Sequence, residues 1–225
     1  MKRWIGATGL GLFAAVMLWI GGSMAPVPDL AWVRFSGEYP RLCRQIYRAA
    51  AERLPEAVRD RAGPWAVVMD IDETCLSTAE YRARKRHSLP LWPVPSFSNW
   101  CARGGATAVP GAAEFTRTVR SLGGKVILIS DRAESLRVPT EGNLKREGIE
   151  YDGLLLKSGG ETKSERRRKA EEGSALPGLG PLTIVMIVGD RMEDFPSGPG
   201  EESGEWGSRW ILLPNPMYGS WLKKF

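Results

Sequence analysis

The sequence predicts an α/β protein with a parallel sheet, helices on both faces of the sheet and a small cap inserted after the first strand. Apolar runs of strand length alternate with segments of helical period, as in parallel sheets built from strand–helix–strand units. The runs are apolar almost throughout, which is typical of strands covered on both faces. Residues 75–109 instead combine charge, proline and aromatic side chains without a clear period, so we interpret them as the cap.

The individual elements follow from local patterns along the chain. Residues 26–35 are expected to form a linker, and apolar residues at helical spacing then predict a helix from about Ser36 to Asp60. Gly63 and Pro64 end that helix. The first predicted strand is Trp65–Met69. The later predictions are a helix over 110–121, strand 125–130, a helix over 140–147, strand 153–156, a helix over 161–172, and strands 181–188 and 209–213.

The amino terminus has the pattern of an export segment. Lys2 and Arg3 precede an apolar run without charge that extends to Pro28. This pattern indicates either a cleaved signal peptide or a retained membrane anchor over residues 1–28. Both alternatives place the globular part, residues 29–225, outside the cytoplasm as a secreted or membrane-held protein.

Composition excludes several classes of function. The chain has one histidine, His87, and three cysteines. These counts argue against a zinc site of several His or Cys, and against a disulfide scaffold, although a Cys43–Cys101 pair stays open. The net charge is +5, and loss of Lys2 and Arg3 would leave +3, which gives no reason to expect nucleic acid as a partner.

Polar residues that suit phosphate chemistry follow four predicted strands. Ligands of an open α/β sheet bind beyond the carboxyl ends of its strands, so these side chains are expected to converge. In strand order they are Asp70 and Asp72, then Ser130, then Lys157, then Asp190 with Asp194.

The chemistry of these residues points to a metal-assisted phosphoryl transfer. Asp70 and Asp72 are close enough to repel each other, and a divalent cation with Asp190 as a further oxygen ligand would relieve that repulsion. Oxygen ligands alone suit Mg²⁺. A carboxylate can act as nucleophile through an aspartyl-phosphate, Lys157 would neutralise it, and the Ser130 hydroxyl would donate to phosphoryl oxygens.

These motifs carry a resemblance to a known family. Asp-x-Asp-x-Thr at 70–74, Ser130, Lys157 and Gly-Asp-x-x-x-Asp at 189–194 resemble the four motifs of the haloacid dehalogenase (HAD) superfamily. The runs 109–112 (VPGA) and 213–221 (LPNPMYGSW) are similar to class B and class C bacterial acid phosphatases, most of all class C, which includes 5′-nucleotidases. The resemblance implies a HAD-like Rossmannoid sheet over about residues 36–225.

The resemblance also implies roles for single residues. Asp70 would be the nucleophile and a Mg²⁺ ligand, and Asp72 the general acid and base, with its backbone carbonyl on the metal. The remaining implied roles are metal ligand for Asp190, support of a metal-bound water or of the lysine for Asp194, phosphoryl contacts for Thr74, Ser130 and Lys157, and the leaving-group pocket for Tyr218 and the cap. Arg132 either contacts phosphate or pairs with a core carboxylate.

The function predicted from the sequence is an exported, Mg²⁺-dependent acid phosphatase acting on small phosphomonoesters, with nucleoside monophosphates as one candidate class. Two alternatives stay open: a non-catalytic cell-surface binding protein on the same fold, and a phosphotransferase. Asp131 and Arg191 stand where the resembled family usually has Asn, which leaves substrate choice open. The sequence does not indicate an oligomeric state.

Overall fold

The computed structural model describes residues 28–86, 95–196 and 204–224. Its centre is a five-stranded parallel sheet in the order β5-β4-β1-β6-β7. The strands are β1 (Trp65–Met69), β4 (Lys125–Ala133), β5 (Gly153–Lys157), β6 (Thr183–Gly189) and β7 (Trp210–Leu212). The predicted parallel α/β sheet is confirmed.

Alternating side chains of the central strand enter two hydrophobic cores. Val67 and Met69 of β1 belong to the larger core, whereas Ala66 and Val68 pack into a second core on the opposite face. Since successive strand residues point to opposite faces, a wholly buried strand requires a layer on each side. This explains why the strands read as continuous apolar runs.

Helices provide both layers. The larger core lies under α2 (Glu38–Val58) and α5 (Ala112–Ser121), which pack on each other through the Tyr47 and Phe115 rings. On the other face, α7 (Lys163–Glu171) packs against β4 and buries Ala170. The helix α6 (Arg137–Arg146) connects β4 to β5.

The segment between β1 and α5 holds a small module of its own. The short strands β2 (Leu76–Ser77) and β3 (Thr107–Ala108) pair antiparallel at its base. Between them lie α3 (Ala79–Arg86) and α4 (Phe97–Ala102), which meet through the rings of Tyr81, Phe97 and Trp100. Helix α3 contacts the helix formed by Pro28–Phe35, and α4 contacts α6.

One sequence prediction about this region is wrong. Residues 26–35 were expected to be a linker, but Pro28–Phe35 form the helix α1. Its helical state depends on tertiary contacts, because Leu30 and Val33 are buried and Asp29 pairs with Arg86 of α3. Within the described ranges no helix has the length and apolarity needed to cross a membrane. Of the predicted export segment, residues 1–28, all but Pro28 lies outside the described residues. His87 also lies outside them.

Candidate active site

Three buried carboxylates meet at the carboxyl ends of two adjacent strands, the central β1 and its neighbour β6. Asp70 follows β1, Asp190 follows β6, and Asp194 closes a 3₁₀ turn over Met192–Asp194. One carboxylate oxygen of each lies within 4.8 Å of the others, and all three residues are buried. The predicted convergence of these strand ends is therefore present in the structure.

The cation beside the first of these carboxylates is Lys163. Its Nζ lies 2.6 Å from Oδ1 of Asp70 and 2.5 Å from Oδ1 of Asp194, and the side chain is almost completely buried. Burial alone would lower the pKa of this ammonium, but the two carboxylates raise it. Lys163 is accordingly charged and fixes the rotation of both carboxylates.

Lys157 does not occupy the predicted position. It ends β5 with its side chain exposed, whereas Lys163 begins α7, where a capping box between Thr162 and Glu165 sets the helix start. That start turns the first side chain of the helix inward onto Asp70. The assignment of Lys157 as the cation at Asp70 is thus corrected to Lys163, six residues further along the chain.

Arg132 takes the second of its two predicted alternatives and pairs with a carboxylate. Its Nη2 donates to Oδ1 of Asp72 at 2.7 Å, and its Nε lies 3.2 Å from each Asp72 oxygen. A further bond runs from Nη1 to the hydroxyl of Thr140. The Arg132 side chain is fully buried, so its guanidinium orients Asp72 from the protein interior.

Glu73 directly follows Asp72 in the chain and is completely buried. Its backbone has a φ of 61°, in the left-handed region that non-glycine residues seldom adopt. The carboxylate accepts bonds from the backbone N–H and the hydroxyl of Thr78 and from the hydroxyl of Tyr218. Burial, with Asp72 nearby, raises the pKa of Glu73 to about 7 despite these donors.

Asp190 is held by two neutral donors. Asn215 Nδ2 donates to its Oδ2 at 2.7 Å, and the Thr74 hydroxyl lies 3.4 Å from its Oδ1. Burial and the charges of Asp70 and Asp194 raise the pKa of Asp190 well above its ordinary value. Burial also raises the pKa of Asp70, to about 6, although Lys163 opposes this. In the described part of the chain Asp190 has no direct ion-pair partner.

This donor set fits a hard divalent cation. Asp70 and Asp190 offer carboxylate oxygens within 4.8 Å of each other, and the ammonium of Lys163 contacts Asp70 and Asp194 but not Asp190. Asp194 is committed differently, because Oδ1 meets Lys163 and Oδ2 accepts the backbone N–H groups of Asp190 and Arg191. These contacts make Asp194 a support of Lys163 and of the turn after β6, and its carboxylate also lies within 4.8 Å of the other two.

The remaining predicted residues lie around this centre. Ser130 is buried near the end of β4, where its hydroxyl accepts the backbone N–H of Arg132 and its carbonyl accepts Arg166. Thr74 is fully buried and its carbonyl accepts the hydroxyl of Tyr47, so it shapes the loop. Tyr218 reaches the site through its hydroxyl on Glu73.

Three residues of the site were missed in the sequence: Lys163, Glu73 and Asn215. A capping box at Thr162 was readable and marks Lys163 as the first residue of a helix after the third core strand. Glu73 and Asn215 gave no such local signal, because their importance comes from partners distant in the chain.

Comparison with known proteins gives consistent similarities. The family model described as HAD superfamily, subfamily IIIB (Acid phosphatase), matches residues 22–221. Acid phosphatase 1 of Solanum lycopersicum is 31% identical over 153 residues, which are 67% of this chain and 57% of that protein. A stem 28 kDa glycoprotein of Glycine max is 30% identical over 156 residues, 67% of this chain and 58% of that protein. The chain therefore spans less than two thirds of the length of these plant relatives.

Solved structures agree with the sequence relatives. The class C acid phosphatase from Bacillus anthracis superposes with a TM-score of 0.74 at 26% identity, covering 86% of this chain and 84% of that one. A second structure of a class C acid phosphatase from that organism, with tungstate bound, has a TM-score of 0.72 at 25% identity and the same coverage. The predicted resemblance to class C acid phosphatases is confirmed.

Proposed function

Because this chain belongs to the HAD superfamily, subfamily IIIB, the acid phosphatases, we propose that it hydrolyses small phosphomonoesters at the carboxylate cluster. The observation that carries the proposal is the arrangement of Asp70. It combines a buried carboxylate, an ammonium at 2.6 Å and a second buried carboxylate, Asp190, with an oxygen within 4.8 Å. Such a site stabilises charge on a transferring phosphoryl group without a histidine.

The proposed first step is attack of a carboxylate oxygen of Asp70 on the phosphorus. The bond from phosphorus to the ester oxygen breaks, and Asp72 gives its proton to the leaving oxygen, which departs as an alcohol. Lys163 keeps the Asp70 carboxylate in one orientation, and its positive charge opposes repulsion by the phosphate.

The proposed second step releases phosphate. Asp72, now ionised, takes a proton from water, the water oxygen bonds to phosphorus, and the bond from phosphorus to Asp70 breaks. Arg132 donates to both oxygens of Asp72 and thereby keeps this carboxylate in one orientation through both steps. The proposed cofactor is Mg²⁺ held by Asp70, Asp190 and the backbone carbonyl of Asp72; when bound, it supplies positive charge to phosphoryl oxygens.

The leaving-group side and the location of the protein are also proposals. Residues 75–109 would form the cap over the leaving group, with nucleoside monophosphates as one candidate substrate class. The apolar run after Arg3 supports export as a secreted or membrane-anchored protein. A relative from Glycine max is named a stem 28 kDa glycoprotein, and that name is consistent with the proposed export.

The test compares wild-type protein with the Asp70→Asn variant on an aryl phosphate, with Mg²⁺ and with chelator. We expect turnover by the wild type with metal, and its loss with chelator or in the variant. No turnover by the wild type with metal at any pH from 4 to 8 would contradict the proposal and favour a binding protein. Excess nucleoside acceptor that diverts phosphate into a new ester would indicate a phosphotransferase.

A further inference from the structure

The loop after β7 contacts two carboxylates of the site. We call residues 214–218 the C-terminal strap. Asn215 Nδ2 donates to Asp190 Oδ2 at 2.7 Å, and the hydroxyl of Tyr218 donates to the carboxylate of Glu73. The strap is itself braced, because Asn215 Oδ1 accepts the backbone N–H of Met217 at 3.0 Å and Met217 is buried.

The contact at Glu73 bears on the loop that carries Asp72. Glu73 has a left-handed backbone, a conformation that persists only when its surroundings enforce it. Thr78 supplies donors from within the same loop, so Tyr218 is the donor that comes from a distant part of the chain. The Tyr218 hydroxyl thus fixes Glu73, and through the backbone it fixes the adjacent Asp72.

The Tyr218 ring is held from the cap as well. The Arg82 guanidinium of α3 lies 3.8 Å from the ring centroid, a close cation–π contact. Arg86 of the same helix reaches the Met217 carbonyl at 3.4 Å. One face of the ring and its hydroxyl are therefore committed to contacts within the protein.

We propose that Tyr218 and Asn215 are positioning residues: the C-terminal strap holds Glu73 and Asp190, and with them the loop of Asp72, in the arrangement that the reaction requires. The proposal rests on the proposed function of this site. It differs from the expectation that the Tyr218 ring serves only to stack on a leaving group, because here the hydroxyl is the important group. Substitution of residues that orient metal ligands or reacting carboxylates typically lowers activity strongly.

The decisive variant is Tyr218→Phe, which keeps the ring and removes the hydroxyl. Its matched control is Tyr151→Phe, a half-buried tyrosine at the amino end of β5, on the opposite edge of the sheet. We expect Tyr218→Phe to lower kcat roughly tenfold or more, with a change in KM below about twofold, since substrate binding is left intact. Tyr151→Phe should match the wild type.

A second measurement does not depend on activity. Amide hydrogen exchange of peptides covering residues 70–78 should be faster in Tyr218→Phe than in wild type, and unchanged in Tyr151→Phe. If Tyr218→Phe does not fold, Asn215→Ala takes its place, with an expected rise of roughly tenfold in the dissociation constant for Mg²⁺, measured by calorimetry.

The outcomes separate the two proposals. If the wild type has no phosphatase activity but residues 70–78 still exchange faster in Tyr218→Phe, the strap holds this loop. The missing activity then contradicts only the proposed function. Wild-type kcat in Tyr218→Phe, or a lower kcat without faster exchange at 70–78, overturns the proposal, since the first assigns the hydroxyl no role and the second a direct role in the reaction.

Discussion

Lys163 Nζ lies 2.6 Å from Oδ1 of Asp70, although the two residues are 93 positions apart in the chain. The same ammonium contacts Asp194, so one cation joins the ends of β1 and β6 through a residue of α7. The sheet topology brings these three elements to one edge, where a nucleophile needs a fixed orientation and a compensating charge.

The first prediction concerns the two candidate lysines. Lys163→Met should lower kcat about 100-fold or more, because it removes the charge that holds Asp70. Lys157→Met should change kcat less than about twofold, since Lys157 is exposed at the end of β5 and surface substitutions have small effects. Steady-state kinetics on an aryl phosphate measure both, and equal losses would contradict the corrected assignment.

The second prediction concerns the ion pair of Arg132 with Asp72. Arg132→Met leaves the Asp72 carboxylate, whose side chain is 16% exposed, without its partner. We expect the free energy of unfolding to fall by about 2–4 kcal/mol, as when one member of a largely buried pair is removed. Urea denaturation measures this. The double variant with Asp72→Asn should regain part of the loss, and no regain would mean that the pair is not coupled.

The third prediction is a pH dependence that arises at Glu73. Its pKa is raised from 4.5 to about 7 in the folded protein, so protonation favours folding. The stabilisation is complete below pH 4.5, is lost as the pH rises through 7, and amounts to at most about 3 kcal/mol. The Gln side chain of Glu73→Gln does not titrate. As the pH rises from 4.5 to 7, the free energy of unfolding of this variant should therefore increase relative to that of the wild type.

That difference is measured by urea denaturation of both proteins in chelator at several pH values. Burial tends to raise the pKa of Asp131, but the hydrogen bond from Arg166 lowers it, so protonation of Asp131 at acid pH destabilises both proteins. The difference in stability between the two proteins cancels this contribution. A constant difference between pH 4.5 and 7 would contradict the prediction.

The fourth prediction uses the close approach of Gly189 to Asp194. A Cβ at position 189 would lie 2.5 Å from the Asp194 Cβ, closer than any real contact. Gly189→Ala should therefore displace Asp194, release Lys163 and abolish most activity. The control is Gly142→Ala in α6, where the added Cβ meets nothing, and which should stabilise by up to about 1 kcal/mol. Kinetics together with thermal denaturation distinguish the two.

Local patterns were enough for the sheet and for the carboxylates that follow it. β1 was predicted with its exact bounds because its five residues are all buried, which leaves a continuous apolar run. Asp70 and Asp190 could be located from that run and from the β6 run, since strand ends are where such a sheet gathers its ligands. These features depend on residues that are neighbours in sequence.

The features that were missed depend on distant partners. Helix α1 has only eight residues and is stabilised by contacts with α3, so its own sequence gives little indication of a helix. The choice between Lys157 and Lys163 depends on where α7 begins. Glu73 would ordinarily be expected at the surface, and only the donors of Thr78 and Tyr218 explain its complete burial.

The three cysteines are unpaired and buried, in α2, in the loop after β1 and in α4. Burial raises the pKa of the Cys43 thiol to about 11 and that of Cys101 to about 12. Because the three side chains are buried, alkylating reagents can react with them only when a segment opens. In variants that keep one cysteine each, the labelling rate would separately report the opening of α2, of the loop after β1 and of α4.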